Sequence, residues 1–234
     1  MHIRVFQINP DRDIASGKLA MFCCWESMQK LGLQLQEEKY DLIYNGEMPD
    51  GNLEDVFCYL NKGIKPAKYY GRSMSVSDVV EMKGASKIAD GVYFCDSVGF
   101  QQISFDFQKT VDRVAVLDKA SELIVKYFVS ECKKTEECAR EEVRNPNNIR
   151  LLQDCFTDDR GSCAPKAITI RITLSLPMRA VIVEGYYPGE PVGTVTTTYP
   201  SDEAMLEALE SLNYQAMYEW GCERLRCQQR RKQI

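Results

Sequence analysis

Histidine is almost missing from this 234-residue chain, with His2 the only one. A Ser-His-Asp triad needs an imidazole as general base, and zinc sites draw on imidazole and closely spaced thiolates. Ten cysteines are present, yet no C-x-x-C occurs; Cys23 and Cys24 are adjacent, and Cys132/Cys138, Cys155/Cys163 and Cys222/Cys227 are six, eight and five apart. These spacings exclude the usual zinc frameworks, and the thiols read as small apolar side chains. Also absent are a Gly-x-Ser-x-Gly elbow, a P-loop and a G-x-G-x-x-G turn, so neither a catalytic site, a metal nor a cofactor is expected. No run approaches the roughly 18 apolar residues of a membrane span. The opening "MHIRVFQINPDRD" turns polar after one short apolar stretch, so no secretory leader is expected and the cytoplasm, where thiols stay reduced, is the expected location. Positive charge is not in excess either: the net charge is −5, which argues against coating nucleic acid.

What is present reads as an α+β chain of a length suited to one large or two small domains. "IRVFQI" (3–8) alternates as a strand does, and "NPDRD" breaks it with turn chemistry. From Ser16, Leu19, Phe22, Cys23 and Leu31 recur at helical spacing up to Gly32, a natural stop. "YDLIYNGEM" (40–48) is a second strand, and "NLEDVFCYLNKG" (52–63) a short helix capped by Asn52 and ended by Gly63. In "YYGRSMSVSDVVEM" (69–82) a serine with an acid three residues later has capping-box spacing, but the β-branched "VVEMKG" is short before Gly84. Ser73, Ser75, Ser77 and Asp78 therefore read as a turn leading into a strand, their side chains bonding the backbone. "GVYFCDSVGFQQISF" (91–105) supplies a hairpin, which gives a β-α-β-α-β-β-β domain over 1–108.

A stripe of Val114, Leu117, Ser121, Ile124 and Phe128 predicts a long helix running to about Arg144, and "NPNNIRLLQDCF" a short helix entered through Pro146. Residues 109–156 are thus expected to be a helical connector, and "TDDRGSCAPK" (157–166) a linker. A second small α+β domain is expected over 157–234: "AITIRITLSL", "RAVIVEGYY" and "VGTVTTTY" as three antiparallel strands, with a "PGEP" turn between the last two, then a helix. Ser201 should cap that helix, and Met205, Leu209, Leu212, Ala216 and Trp220 should cover the sheet. Arg224, Arg226, Arg230, Arg231 and Lys232 gather at the end; such a tail can touch phosphates or be a solvated helix end.

Three candidate sites stand out. Tyr59, Tyr69 and Tyr70 interleave with Lys62, Lys65, Lys68 and Arg72, a mixture suited to a protein interface or to stacked bases; the alternative is that the tyrosines pack against the sheet. Tyr186 and Tyr187 in "GYYPGEP" form a second such surface. Asp11 and Asp13 with Asp96 could collect a hard cation, although two acids flanking an arginine more often make a solvated turn.

The first ~105 residues resemble the YodL-like domain family of bacterial proteins, about one domain's length. The likeness rests on ordered motifs: "IRVFQI", "LGLQLQEEKYDLIYNGEM", "NLEDVFCYLN", "GRSMSVSDVVEM" and "YFCDSVGF". Two departures accompany it. The family commonly has histidine after the signature glycine where this chain has Arg72, and "KPAKYY" replaces its usual proline-containing approach. Residues 109–234 resemble no family in the same way. The resemblance implies an accessory protein of conjugative or integrative elements of Firmicutes, with no agreed catalytic activity. The expectation is therefore a non-enzymatic interaction protein of a bacterial mobile genetic element, at its most concrete a counter-defence inhibitor of anti-CRISPR or antirestriction type that binds a host nuclease. A nucleic-acid-binding accessory using the 59–72 patch and the basic tail is the alternative, and an uncharacterised hydrolase the third.

Overall fold

The computed structural model describes residues 1–62, 65–158, 166–187 and 190–231. It divides into two compact units, Met1–Val116 and Leu117–Ile234, and the chain is α+β as expected. Among the described residues no helix is long and apolar enough to cross a membrane.

The first unit runs β1 (His2–Ile8), α1 (Pro10–Ala15), α2 (Trp25–Lys30), β2 (Tyr40–Glu47), α3 (Leu53–Asn61), β3 (Val79–Lys83), β4 (Gly91–Cys95), β5 (Phe100–Gln102) and β6 (Val111–Asp112). Its six strands lie in the order β5-β4-β3-β1-β2-β6, antiparallel except for the parallel β2–β6 edge. The register of β1 against β2 shifts between Val5 and Phe6. The extra residue is Ile43 of β2, so Ile43 and Tyr44 share one face of the sheet. Along β1 the sides alternate: Ile3 and Val5 join a core with Val56 and Leu60 of α3, whereas Phe6 and Ile8 join Met28, Tyr40, Phe94 and Phe105 in a second core. The sheet thus buries both faces.

Several expected elements hold their places, α3 among them with its capping box of Asn52 and Asp55; Gly63, the expected stop, lies outside the described residues. Others differ. "NPDRD" is not a turn but the start of α1: Asn9 is its N-cap, accepting from Asp11 and Arg12 N–H, and Pro10 takes the first position, where a missing N–H costs nothing. The helix expected over 16–32 exists only as α2. Gly17, at φ +65°, donates to Ile14 O, closing α1 with the left-handed residue that glycine supplies best.

The second unit contains α4 (Val114–Ser130) from Leu117 onward, α5 (Glu136–Glu142), β7 (Ile149–Asp158), β8 (Lys166–Ser175), β9 (Ala180–Tyr187), β10 (Glu190–Thr198), α6 (Asp202–Glu210) and α7 (Tyr214–Arg231). Its sheet is antiparallel with four strands, β10-β9-β8-β7, not three. The helix expected over 145–156 is strand β7, because a bulge between Arg150 and Leu152 places Leu151 and Leu152 side by side and conceals the alternation. The long helix expected to Arg144 breaks after Ser130 and resumes at Glu136, capped by Thr135. The last helix is likewise two, Ser201 capping α6 and Asn213 accepting from Ala216 N. Met205 and Leu209 are buried as expected, but Ala216 is exposed and Trp220 half-buried, while Cys222 and Leu225 carry the buried face of α7. Most of the 157–166 linker and the Pro188–Gly189 part of the expected turn lie outside the described residues, as does Lys232.

Candidate functional site

Asp78 is the centre of the serine-rich stretch, and its side chain is fully buried. Arg72 meets it with two guanidinium nitrogens, Nη2 to Oδ1 at 2.6 Å and Nη1 to Oδ2 at 2.8 Å. Gln7 Nε2 and Ser75 N also donate to Oδ2, at 2.9 and 2.8 Å. Burial pushes the Asp78 carboxyl up to about 6, with Arg72, Ser75 and Gln7 opposing that rise. Ser77, at φ +76°, donates its N–H to Cys95 O and offers its carbonyl to Tyr40 Oη. Ser75 O accepts from Asp78 N, and the chain then enters β3. The Asp78 carboxylate is thus held by two side chains, Arg72 and Gln7, and by one backbone N–H, that of Ser75. Arg72 supplies the charge that makes the buried carboxylate tolerable.

The aromatic and basic patch expected over 59–72 does not form as one surface, which corrects that expectation. Tyr69 is 1% and Tyr70 3% exposed. Tyr69 Oη donates to Arg72 O at 2.7 Å, its ring lies 5.8 Å from that of Tyr44, and Tyr70 N donates to Ile43 O. The segment docks along β2 and turns its rings inward. Lys65 reaches back to Gly71 O and sits 4.9 Å above the Tyr69 ring. Tyr59 alone of the three tyrosines is exposed. Lys62 and Lys68 are exposed and Arg72 is half-buried. In the second unit Tyr186 is half-buried with the Arg171 guanidinium 5.3 Å from its ring, and Tyr187 is half-buried at the end of β9. The basic tail is divided too: Arg224 lies over Trp220 and Arg226 over Phe156, while the side chains of Arg230 and Arg231 lie outside the described residues.

Nor do Asp11, Asp13 and Asp96 converge. Asp13 is buried and accepts from Lys39 Nζ at 2.8 Å and from Ala20 and Met21 N–H. Burial raises its pKa, but these donors outweigh that and hold it below the ordinary value. Asp96 accepts from Trp25 N. Among the described residues no three His, Cys, Asp or Glu side chains group as metal ligands do.

These tethers create a surface that the sequence reading missed. Between α1 and α2 the N–H groups of Ala20, Met21, Phe22 and Trp25 go to Asp13, Ser77 and Asp96. Held this way, the loop presents Leu19 and Phe22 at 60% and 54% exposure, flanked in sequence by exposed Ile14 and Leu31. Phe22 has φ +67°, a conformation that non-glycine residues adopt at a cost. The Arg72 guanidinium stands 4.8 Å from its ring, so the cation anchoring Asp78 also steadies the exposed aromatic. Sequence reasoning had placed Leu19, Phe22 and Leu31 on a buried helical stripe. The available signal was Gly17 inside the supposed helix and Asn9-Pro10 before it.

The first unit is thus an α+β domain with a two-faced sheet, a buried Arg72–Asp78 turn and a displayed apolar loop. Residues 2–105 match the family model of the YodL-like domain. No curated protein and no solved structure matches the chain.

Proposed function

We propose that this is a non-enzymatic interaction protein of a bacterial mobile genetic element, acting in counter-defence by binding a host nuclease. The observation carrying the binding role is the Leu19–Phe22 loop: apolar side chains held outward by the buried Asp13 carboxylate and the Ser77 hydroxyl, with Phe22 strained and capped by an arginine. Aromatic residues and arginine dominate binding energy at protein interfaces. Strain retained at an exposed residue is also a mark of functional positions. The mobile-element setting follows from the family resemblance. An acidic chain of net charge −5 suits a partner whose nucleic-acid-binding surface is basic, since complementary charge speeds encounter and selects partners.

The test is a pull-down of tagged protein from a host carrying CRISPR and restriction systems, with and without digestion of nucleic acid. We expect a nuclease subunit to remain after digestion and to be lost when Leu19→Asp and Phe22→Asp are combined. Leu19 and Phe22 are exposed, so the substitutions open no cavity in the core and the folded signal should persist. Salt-sensitive retention of bare DNA or RNA that vanishes on digestion, or protein retention indifferent to the substitutions, would reject the reading.

A further inference from the structure

The second unit holds a groove of about 440 Å³ between its sheet and α6–α7, within the roughly 300–1,000 Å³ of small-molecule sites. Its walls are mainly apolar: Leu151, Ile172 and Val181 from the strands face Leu212, Met217 and Trp220 from the helical side. Arg224 is the only charged residue that lines it. The Arg224 side chain is exposed, its guanidinium lies 5.5 Å from the Trp220 ring centroid, and no carboxylate pairs with it among the described residues. Tyr199 also lines the groove; its phenol is pushed up by burial, the one influence acting on it. An apolar trough with one cation at its edge and one desolvated hydroxyl in its wall is complementary to a particular ligand shape. A neutral ligand would leave the guanidinium unused, and a cationic one would be repelled by it.

We propose that this groove binds a small amphipathic carboxylate, its chain or ring lying along Met217 and Trp220 and its anionic head meeting Arg224. Each methylene buried should improve affinity about fourfold, so chain length as well as head charge is diagnostic. The full-length chain carrying Trp25→Phe leaves Trp220 as its only tryptophan; its fluorescence is titrated with octanoate, decanoate and decyltrimethylammonium. Calorimetry on the unsubstituted chain checks the same constants. Decanoate should bind about sixteenfold more tightly than octanoate and at least tenfold more tightly than the cation. Arg224→Gln should erase the preference for the anion, and Ala216→Trp, at an exposed lining position, should block decanoate while the chain stays folded. Absence of saturation at millimolar decanoate, equal binding of the cation, or an unaffected Ala216→Trp protein would overturn the proposal.

Discussion

Asp78 and Arg72 form one charge pair with unequal burial, and each behaves differently when its partner is removed. The Asp78 side chain is fully buried whereas Arg72 keeps 30% exposure. Replacing Arg72 with alanine strands a buried carboxylate and should cost about 3 kcal/mol at pH 8, within the range for broken buried pairs. The loss should shrink toward pH 5. The carboxyl titrates near 6 in the fold, above its ordinary 3.8, so the folded state binds a proton that the unfolded state lacks between those values. Its contribution is therefore present below about 3.8 and lost as pH rises through 6. Without Arg72 the folded value moves higher still, and acid relieves the variant more than the native chain. Denaturant melts of both proteins at pH 5 and 8 measure this, and a pH-independent difference would contradict it. Phe22 offers the complementary case. Phe22→Gly releases a left-handed strain of order 1 kcal/mol and removes an exposed ring, so thermal stability should hold or rise while partner binding falls. A joint loss of stability and binding would make the ring structural.

At the scale of elements, what was legible depended on where each backbone donor finds its acceptor. Strands β1 to β5 and helix α3 are specified locally, by alternation and by the reciprocal Asn52–Asp55 cap, and the sequence reading located them closely. The 16–24 loop is not local: Asp13 and Ser77 intercept its N–H groups, and no periodicity within the loop announces a partner 55 positions away. Strand β7 was hidden by its bulge, and the burial of Tyr69 and Tyr70 by the fact that composition does not say which way a ring faces. The serine-rich stretch runs directly into β3, and its arginine partner was assigned to a surface. Asn9 carries the consequence for α1. It caps the helix and donates to Asp41 Oδ2 at 2.8 Å, so Asn9→Ala should cost about 2 kcal/mol, the upper end for a lost cap. Asn52→Ala, a more exposed cap, should cost about 1 kcal/mol. Equal losses in thermal melts would mean that the Asp41 contact adds nothing.

Over the whole molecule, thiol chemistry reports how deeply each unit encloses its cysteines. All nine described cysteines are free; Cys58, Cys138, Cys155 and Cys227 are exposed, and Cys95 and Cys222 are buried. Burial, aided by the nearby charge of Asp78, pushes Cys95 up to about 12, and burial raises Cys222 as well. The thiolate is the reactive form. A disulfide reagent at pH 8 should therefore label the four exposed cysteines first and reach Cys95 and Cys222 only after guanidinium is added, as read by peptide mass spectrometry. Early labelling of Cys95 would mean that the first core opens readily.

The edge of the first sheet bears on how such a domain can be inherited. The family match ends at residue 105, but β6 pairs in parallel with β2 at Val111–Asp112, and Arg113 N donates to Leu42 O. Phe107 meanwhile stacks on Phe6 at 5.4 Å. A gene crossover at residue 105 would deliver β2 with a bare hydrogen-bonding edge, the kind that recruits other chains into aggregates. Recombination junctions that survive selection should therefore fall beyond residue 113, making the transmissible unit longer than its recognisable signature.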